Sequence, residues 1–246
     1  MACFLPFNNR SLDICLFVFK PTVVLVDELI ESLKNFSLGT ESLGCLQSSI
    51  FKSIHGNMII WYGGWMKKSS QDKDLLTTTL LTMLADTSSM AVLIEHSFYD
   101  AYAGESRDGT SAAKFSRGDT ISMNVIQPSS GDLNDLSYAN LALFRSRFLK
   151  MEGAAAGVCL KCLSMPRVAS LYVWKSLQSC YSYILNSDYR KTMLPYLEQF
   201  SLSIKYDVFW VVYVSSENVL SYQVPAPQQL LENGRESREE TQIMPS

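Results

Sequence analysis

His96, one of only two histidines in the chain, is the residue whose chemistry stands out first. It lies in the apolar, β-branched run SMAVLIEHSFY (residues 89–99), which predicts a strand with His96 on the same face as Ile94 and Phe98. On a cavity wall its imidazole can accept a proton or bind a ligand, with the hydroxyl of Tyr99 close by. A strand histidine can also be a hydrogen-bonded structural residue. His96 is therefore the candidate catalytic residue, and the structural alternative stays open.

Cysteine spacing offers a second kind of chemistry, a metal or redox pair. Cys159 and Cys162 have the CxxC spacing, within a total of six cysteines. Both fall in a predicted strand, however, where residues three apart point to opposite faces, and no second Cys/His pair completes four ligands. Disulfide frameworks are typical of small secreted chains, and this chain has 246 residues. We therefore expect free, mostly buried thiols and no metal site.

Nucleotide and nucleic-acid chemistry have no support in the sequence. Neither the GxGxxG nor the GxxxxGK[ST] loop is present, and the GxSxG turn of hydrolases is missing as well. The net charge is -3, and the 21 basic residues form no long run. We expect no nucleic-acid partner and no cofactor.

The N-terminal region carries no recognisable targeting signal. Pro6, Asn8, Arg10 and Asp13 interrupt its apolar residues before the core of a signal peptide can form. No run reaches the roughly 18 apolar residues that a membrane-spanning helix needs. We expect an intracellular protein, cytoplasmic or nuclear, without a membrane partner.

Hydrophobic periodicity predicts the same order of elements twice. The order β-α-β-β-α-β runs to residue 100 and begins again at residue 119, and this is the order of a ferredoxin-like unit. We predict an α+β protein with four segments. They are a first ferredoxin-like repeat (1–100), a polar connecting loop (101–118), a second ferredoxin-like repeat (119–223) and a disordered tail rich in Pro, Gln and Glu (224–246).

The two repeats align through a tryptophan. Trp65 ends the third strand of the first repeat and Trp174 that of the second, and in both a Lys and a Ser follow before a helix. The same comparison places residues 44–46 opposite residues 157–159. The alignment indicates a structural duplication in which each Trp marks the corner between strand and helix.

Three runs of the second repeat resemble the antibiotic-biosynthesis-monooxygenase group of dimeric α/β barrels. They are EGAAAGVCLKC (152–162), SLYVWKSLQSCYSYILNSDYRK (170–191) and DVFWVVYV (207–214). In that group two ferredoxin-like units pack their sheets face to face, which covers the apolar face that each sheet leaves bare. The resemblance implies that this single chain contains both units and folds into a pseudo-dimeric α/β barrel.

The same resemblance implies a site. Enzymes of the group work without metal or flavin, hold an aromatic substrate among Trp, Asn, His and Tyr side chains in the barrel cavity, and in some members degrade haem. The candidate ligand-binding residues here are then Trp65, His96, Tyr99 and Trp174. The alternative is that each Trp fills the core. The histidine that the haem-degrading pattern has on its second helix is absent from both repeats, which argues against haem chemistry.

The whole chain is also similar to a family of uncharacterised plant proteins, of the kind described as a domain of unknown function. The runs that carry this resemblance are FNNR (7–10), SSIFKSIHGNMIIWYG (48–63), HSFYDAYAGESRDG (96–109) and SDYRKTMLPYLEQFSL (187–202). This resemblance implies a lineage and no mechanism.

Two function hypotheses follow. The first is a non-catalytic binding or regulatory module, monomeric because its pseudo-dimer is internal, that meets a protein partner through the loop 101–118 or through exposed helices. The second is a cofactor-independent monooxygenase-like enzyme, or a binder of a small apolar ligand, that uses the barrel cavity. A filled barrel favours the first, and an open pocket with His96 on its wall favours the second. We favour the first, because the enzyme residues of the group are not reproduced.

Overall fold

The structure, a computed structural model, describes residues 2–7, 11–55, 58–129, 133–186, 191, 194–199 and 201–215. In these residues the strands are β1 (Ala2–Pro6), β2 (Leu12–Pro21), β3 (Cys45–Ser53), β4 (Ile59–Met66), β5 (Ala91–Ser106), β6 (Ala112–Ser116), β7 (Thr120–Pro128), β8 (Ala154–Cys162), β9 (Val168–Trp174) and β10 (Ser201–Val214). The helices are α1 (Val26–Glu41), α2 (Ser70–Met83), α3 (Leu133–Arg147), α4 (Leu177–Ile184) and α5 (Leu194–Glu198). The predicted tail (224–246) lies outside the described residues.

Eight of these strands form one closed barrel in the order β10-β3-β4-β2-β5-β8-β9-β7. The first half contributes β5-β2-β4-β3 and the second contributes β10-β7-β9-β8, each with the strand order of a ferredoxin-like unit. Two antiparallel seams, β5 with β8 and β10 with β3, join the halves. The predicted fold class, two tandem ferredoxin-like repeats in a pseudo-dimeric α/β barrel, is confirmed.

The barrel strands bury both of their faces. In β2, Ile14 and Leu16 point into the barrel interior, whereas Cys15 and Phe17 point outward to the layer under α1 and α2. A strand between two apolar layers reads as a continuous apolar run, which is why LDICLFVF shows no polar alternation. We call the layer between the sheet of each half and its helices the outer layer of that half.

Residues 101–118, predicted as a connecting loop, instead form the end of β5, a turn and β6. Their small side chains suggested a loop, but at Gly104 a small residue is required by the packing of the strand. A Cβ on Gly104 would lie 2.0 Å from Cδ1 of Phe7, so the segment is small where a ring crosses it. The strand β1, which sequence reasoning missed, pairs with β6 in a separate two-stranded ribbon.

One face of the β1–β6 ribbon packs into the barrel interior. Phe115 of β6 is fully buried there, with its ring centroid 5.5 Å from that of Phe51 and 5.8 Å from that of Tyr62. The side-chain amide of Gln47 fixes the ribbon, because it accepts a hydrogen bond from the backbone N–H of Phe4 (2.9 Å) and donates one to the Phe4 carbonyl. Around Phe115, the barrel is therefore filled by the chain itself.

The pseudo-twofold relation between the halves is visible in the positions of their β-bulges. The β3–β4 ladder has a bulge one residue after Cys45, and the β8–β9 ladder has one after Ala154; these residues pair with Trp65 and Trp174 respectively. The counterpart of Cys45 is thus Ala154, and the sequence alignment of residues 44–46 with 157–159 was wrong. That alignment matched Gly44 with Gly157, whereas the ladder register gives the true one.

Replacing Phe115 by Ala is expected to lower the free energy of unfolding by about 3–5 kcal/mol, because it opens a void between the ribbon and the barrel. Phe4, on the opposite face of the same ribbon and 39% exposed, gives the matched control. Phe4→Ala should cost less than about 1 kcal/mol. Urea unfolding of both variants measures the difference, and equal losses would contradict the assignment of Phe115 as the filling side chain.

Candidate functional site between the second sheet and its helices

Of the four predicted ligand-binding residues, Tyr99 faces the barrel interior. It is 1% exposed, and its hydroxyl donates a hydrogen bond to Oε1 of Glu95 (3.0 Å). The same carboxylate pairs with the guanidinium of Arg167. Burial, and then the negative charge of Glu95, raise the pKa of the Tyr99 hydroxyl well above its usual range. Tyr99 is thus a neutral hydrogen-bond donor in a structural network.

His96 points to the opposite side of the same strand. Its ring is exposed and stacks on Phe17, with centroids 5.7 Å apart and planes at 18°. It therefore covers the outer layer of the first half from outside. The prediction that His96 and Tyr99 line one cavity does not hold, because residues three apart in a strand lie on opposite faces.

The two tryptophans lie in the outer layers of different halves. Trp65 is fully buried under α2, and its indole Nε1 has no hydrogen-bond partner in the described ranges. Trp174 is buried under α4, where its Nε1 donates to Oγ of Ser122 (2.8 Å) and its ring lies 5.5 Å from that of Tyr183. The four candidates accordingly do not converge on one site, and only Trp174 lies near the polar groups described next.

The outer layers of the two halves differ at one cross-strand pair. In the first half Phe17 pairs with Trp61, and in the second the equivalent pair is Asn124 with Ser170. The equivalence follows from the register, because Phe17 and Asn124 each lie four residues after the partner of the corner Trp. An apolar, aromatic pair in one half is thus replaced by a small, polar pair in the other.

Asn124 is the unusual member of this pair. It is 8% exposed, and its buried Oδ1 has no hydrogen-bond partner among the residues that the structure describes. A buried acceptor that is left unpaired costs about 1–3 kcal/mol. Asn124 lies on the outer face of β7 between β9 and β10, beneath the region where α4 contacts β7 and β9 and where α5 contacts β10.

A chain of hydrogen bonds fills the adjoining part of this outer layer. Ser170 Oγ donates to Oδ1 of Asn140 (2.9 Å), and Asn140 Nδ2 donates to the hydroxyl of Tyr102 (3.0 Å), which donates to the carbonyl of Ser137 (3.3 Å). Asn140 reaches Ser170 from α3, so the helix and the sheet are connected by polar contacts here. The network satisfies its own members and leaves Asn124 Oδ1 outside it.

The ionisable groups of this network stay neutral. Burial raises the pKa of the Cys159 thiol to about 12, although hydrogen bonds to Ser170, Tyr102 and Asn140 partly oppose the shift. Burial likewise raises the pKa of the Tyr102 hydroxyl well above its usual range. At physiological pH this layer therefore offers neutral hydrogen-bonding groups rather than charged ones.

The CxxC pair behaves as its spacing indicated. Cys159 lies in the outer layer of the second half and Cys162 in the barrel interior, so the two thiols are separated by the sheet. All six cysteines are free and buried. Among the described residues, no group of three or more His, Cys, Asp or Glu side chains could hold a metal ion.

Sequence reasoning missed Asn124, Ser122 and Ser170. A signal for them was present, because TISMNVI and SLYVW align with the apolar LDICLFVF and WYGGW of the first repeat through the two tryptophans. Polar residues at positions where the equivalent strand of the other half is apolar indicate that the outer layers of the two halves differ in chemistry.

Comparison with known proteins places this geometry in a fold group. A family model described as Domain of unknown function (DUF7392) matches residues 97–209. No curated protein matches the chain in sequence. In the described residues, no helix is both long and apolar enough to cross a membrane.

Several solved structures share the fold at low sequence identity. An anthrone oxidase-like protein is 16% identical, with a TM-score of 0.73 over 87% of this chain and 96% of its own. A putative monooxygenase from Fusobacterium nucleatum is 8% identical, with a TM-score of 0.60 over 84% of this chain and 95% of its own. A protein described as a major regulator of staphylococcal pathogenesis is 8% identical, with a TM-score of 0.51 over 81% of this chain and 99% of its own. The predicted likeness to monooxygenase-type barrels is confirmed for the fold.

Removing the partner of the Trp174 indole should destabilise the protein. Ser122→Ala leaves the buried Nε1–H without an acceptor, at an expected cost of about 1–3 kcal/mol in the free energy of unfolding. The matched variant is Cys15→Ser, because Cys15 occupies the equivalent position below Trp65, whose Nε1 is unpaired among the described residues. Cys15→Ser should leave stability unchanged or raise it. Urea unfolding compares the two, and a similar loss in both would contradict the indole argument.

Stability should also fall in alkaline solution. The Cys159 thiol has its ordinary pKa near 9.0 when the chain is unfolded and about 12 in the folded protein. The unfolded state therefore loses its proton first, so the stabilisation is complete below pH 9.0 and disappears as the pH rises toward 12. Urea unfolding at pH 8 and pH 10 should show a decrease that is smaller in Cys159→Ala. An equal decrease in that variant would contradict the contribution of Cys159.

Proposed function

We propose that the protein is a small-molecule binding module whose site lies in the outer layer of the second half, around Asn124. The ligand is a largely apolar molecule with a hydrogen-bond donor, an N–H or O–H group, that faces Asn124 Oδ1. This proposal keeps the non-catalytic binding role that the sequence favours and moves the site from the barrel cavity to the layer under the helices.

The single observation that carries the proposal is the buried Oδ1 of Asn124, which is unpaired within the described part of the chain. Buried polar groups in folded proteins are nearly always hydrogen-bonded, so an orphan acceptor needs an explanation. The neighbouring Asn140 shows that this layer can pair both ends of an amide, because its Oδ1 accepts from Ser170 and its Nδ2 donates to Tyr102. A ligand donor would do the same for Asn124 and would recover the cost of its burial.

The character of the surrounding groups supports binding rather than proton transfer. A cofactor-independent oxygenase has to draw a proton from its substrate, which requires a base with a pKa near the working pH. In the described part of the layer, Cys159 and Tyr102 both have pKa values raised by burial. The exposed His96 lies in the other half, on the far side of Phe17.

The solved structures with the same fold also support a ligand site. They include proteins described as an anthrone oxidase-like protein and as a putative monooxygenase, names that imply small-molecule substrates for those proteins. The hypothesis of a protein partner at residues 101–118 has less support, because Arg107 is engaged internally. Its guanidinium donates to the carbonyls of Phe148, Leu149, Met151 and Ala154.

A matched pair of probes tests the proposal. 2-Naphthol carries an O–H donor, whereas 2-methoxynaphthalene has the same ring system and no donor. In thermal-shift measurements with the wild-type protein, 2-naphthol should raise the Tm more than its methyl ether does, because only the naphthol can pair with Asn124 Oδ1.

Two variants at one position provide the control. Asn124→Asp keeps an oxygen acceptor and should keep the preference for 2-naphthol, whereas Asn124→Leu is similar in size and should abolish it. The proposal is overturned if neither probe shifts the wild-type Tm, or if the preference for 2-naphthol survives in Asn124→Leu.

A further inference from the structure

The outer layer of the first half is closed by its own aromatic side chains. Phe36 of α1 lies over the Phe17–Trp61 pair, with centroid distances of 6.2 Å to Phe17 and 4.8 Å to Trp61. Phe17 and Trp61 are themselves 5.8 Å apart, and both are fully buried. The three rings are thus in mutual contact between the sheet and α1. Two of them belong to the residues that are equivalent to Asn124 and Ser170.

This aromatic filling is anchored on several sides. The Trp61 Nε1–H donates to Oγ of Ser37 on α1 (2.8 Å), which fixes the indole to the helix. Gly63 makes room for the ring, because a Cβ there would lie 2.4 Å from Cη2 of Trp61. Outside, His96 stacks on Phe17. The helix, the sheet and the outer surface all hold the two side chains in place.

Among the side chains that the structure describes, the second half has other residues at the positions of Trp61, Phe17 and Gly63. Ser170 stands where Trp61 is, and Asn124 where Phe17 is. Tyr172 stands at the position of Gly63, and its ring packs on Phe144 (6.0 Å) and Trp174 (6.3 Å), one step along the sheet from Asn124. The rings of Tyr172, Phe144 and Trp174 therefore lie beside the Asn124–Ser170 pair rather than above it.

We infer that the chain carries one working ligand site and one latent site, and that Phe17 and Trp61 permanently occupy the latent site in the first half. The protein then binds one ligand per chain, although its architecture repeats the site twice. This inference rests on the proposed function of the Asn124 site. It adds that Trp61 and Phe17 act as a built-in substitute for the ligand, which gives the first half its stability without one.

The number of bound probe molecules tests the inference. Isothermal titration with 2-naphthol should give one site per chain in the wild-type protein. The double variant Phe17→Asn/Trp61→Ser introduces the residues of the second half into the first and should raise the number to two. The reverse variant, Asn124→Phe, introduces the first-half side chain into the second half and should reduce the number to zero.

The outcomes separate this inference from the proposed function. Two sites in the wild-type protein would overturn the inference and leave the proposed function standing. One site in both the wild type and the double variant would have the same consequence. No site in the wild type but one in the double variant would support the latent site and overturn the proposed function. No binding to either protein would overturn both.

A second variant covers the case in which the double variant does not fold. Trp61→Gly removes only the indole, and indole itself is then the probe. Added indole should raise the Tm of Trp61→Gly and leave that of Trp61→Phe unchanged, because the Phe ring still blocks the space. Equal behaviour of the two variants would overturn the assignment of Trp61 to a ligand-shaped space.

Discussion

Closure of the eight-stranded ring is the constraint on which the other features depend. Each four-stranded sheet has helices on one side only, so its other face would be bare and apolar without a partner. The seams β5–β8 and β10–β3 bring the two bare faces together and pair every barrel strand on both sides. The enclosed space must then be filled, and the β1–β6 ribbon contributes Leu5 and Phe115 to that filling. The proposed ligand site accordingly lies between the second sheet and its helices and not around Phe115.

The two halves share a scaffold and differ in what they place on it. Bulges at equivalent residues, corner tryptophans and strand order are common to both. The cross-strand pair on the outer face differs between the halves. The change from Phe17–Trp61 to Asn124–Ser170 alters the chemistry of the outer layer without altering the backbone register. A duplicated unit can therefore keep one copy as a packed support while the other copy retains polar groups.

The element order and the duplication could be predicted because their signals are local, whereas the closed barrel was implied by the family resemblance. Hydrophobic periodicity and the two corner tryptophans were enough for the element order and the duplication. The β1–β6 ribbon was missed because its pairing joins residues far apart in the chain, and because Gly104 and its small neighbours suggested a loop. The His96–Tyr99 site was misjudged although the two-residue period of a strand separates these side chains. For Trp65 and Trp174, strands that are apolar on both faces gave no indication of which face points to the interior.

The pairing of β1 with β6 and of β3 with β10 also determines how much of the chain must be synthesised before the protein can fold. Ala2 pairs with Ser116, and Ser53 of β3 pairs with Phe209 of β10, so both the ribbon and the last seam join segments that are distant in the chain. During synthesis the first half leaves the ribosome long before its partners exist, with an apolar sheet face uncovered. Such long-range closure makes folding slow and strongly cooperative. Until the second half covers that face, the nascent first half is prone to associate with other copies of itself.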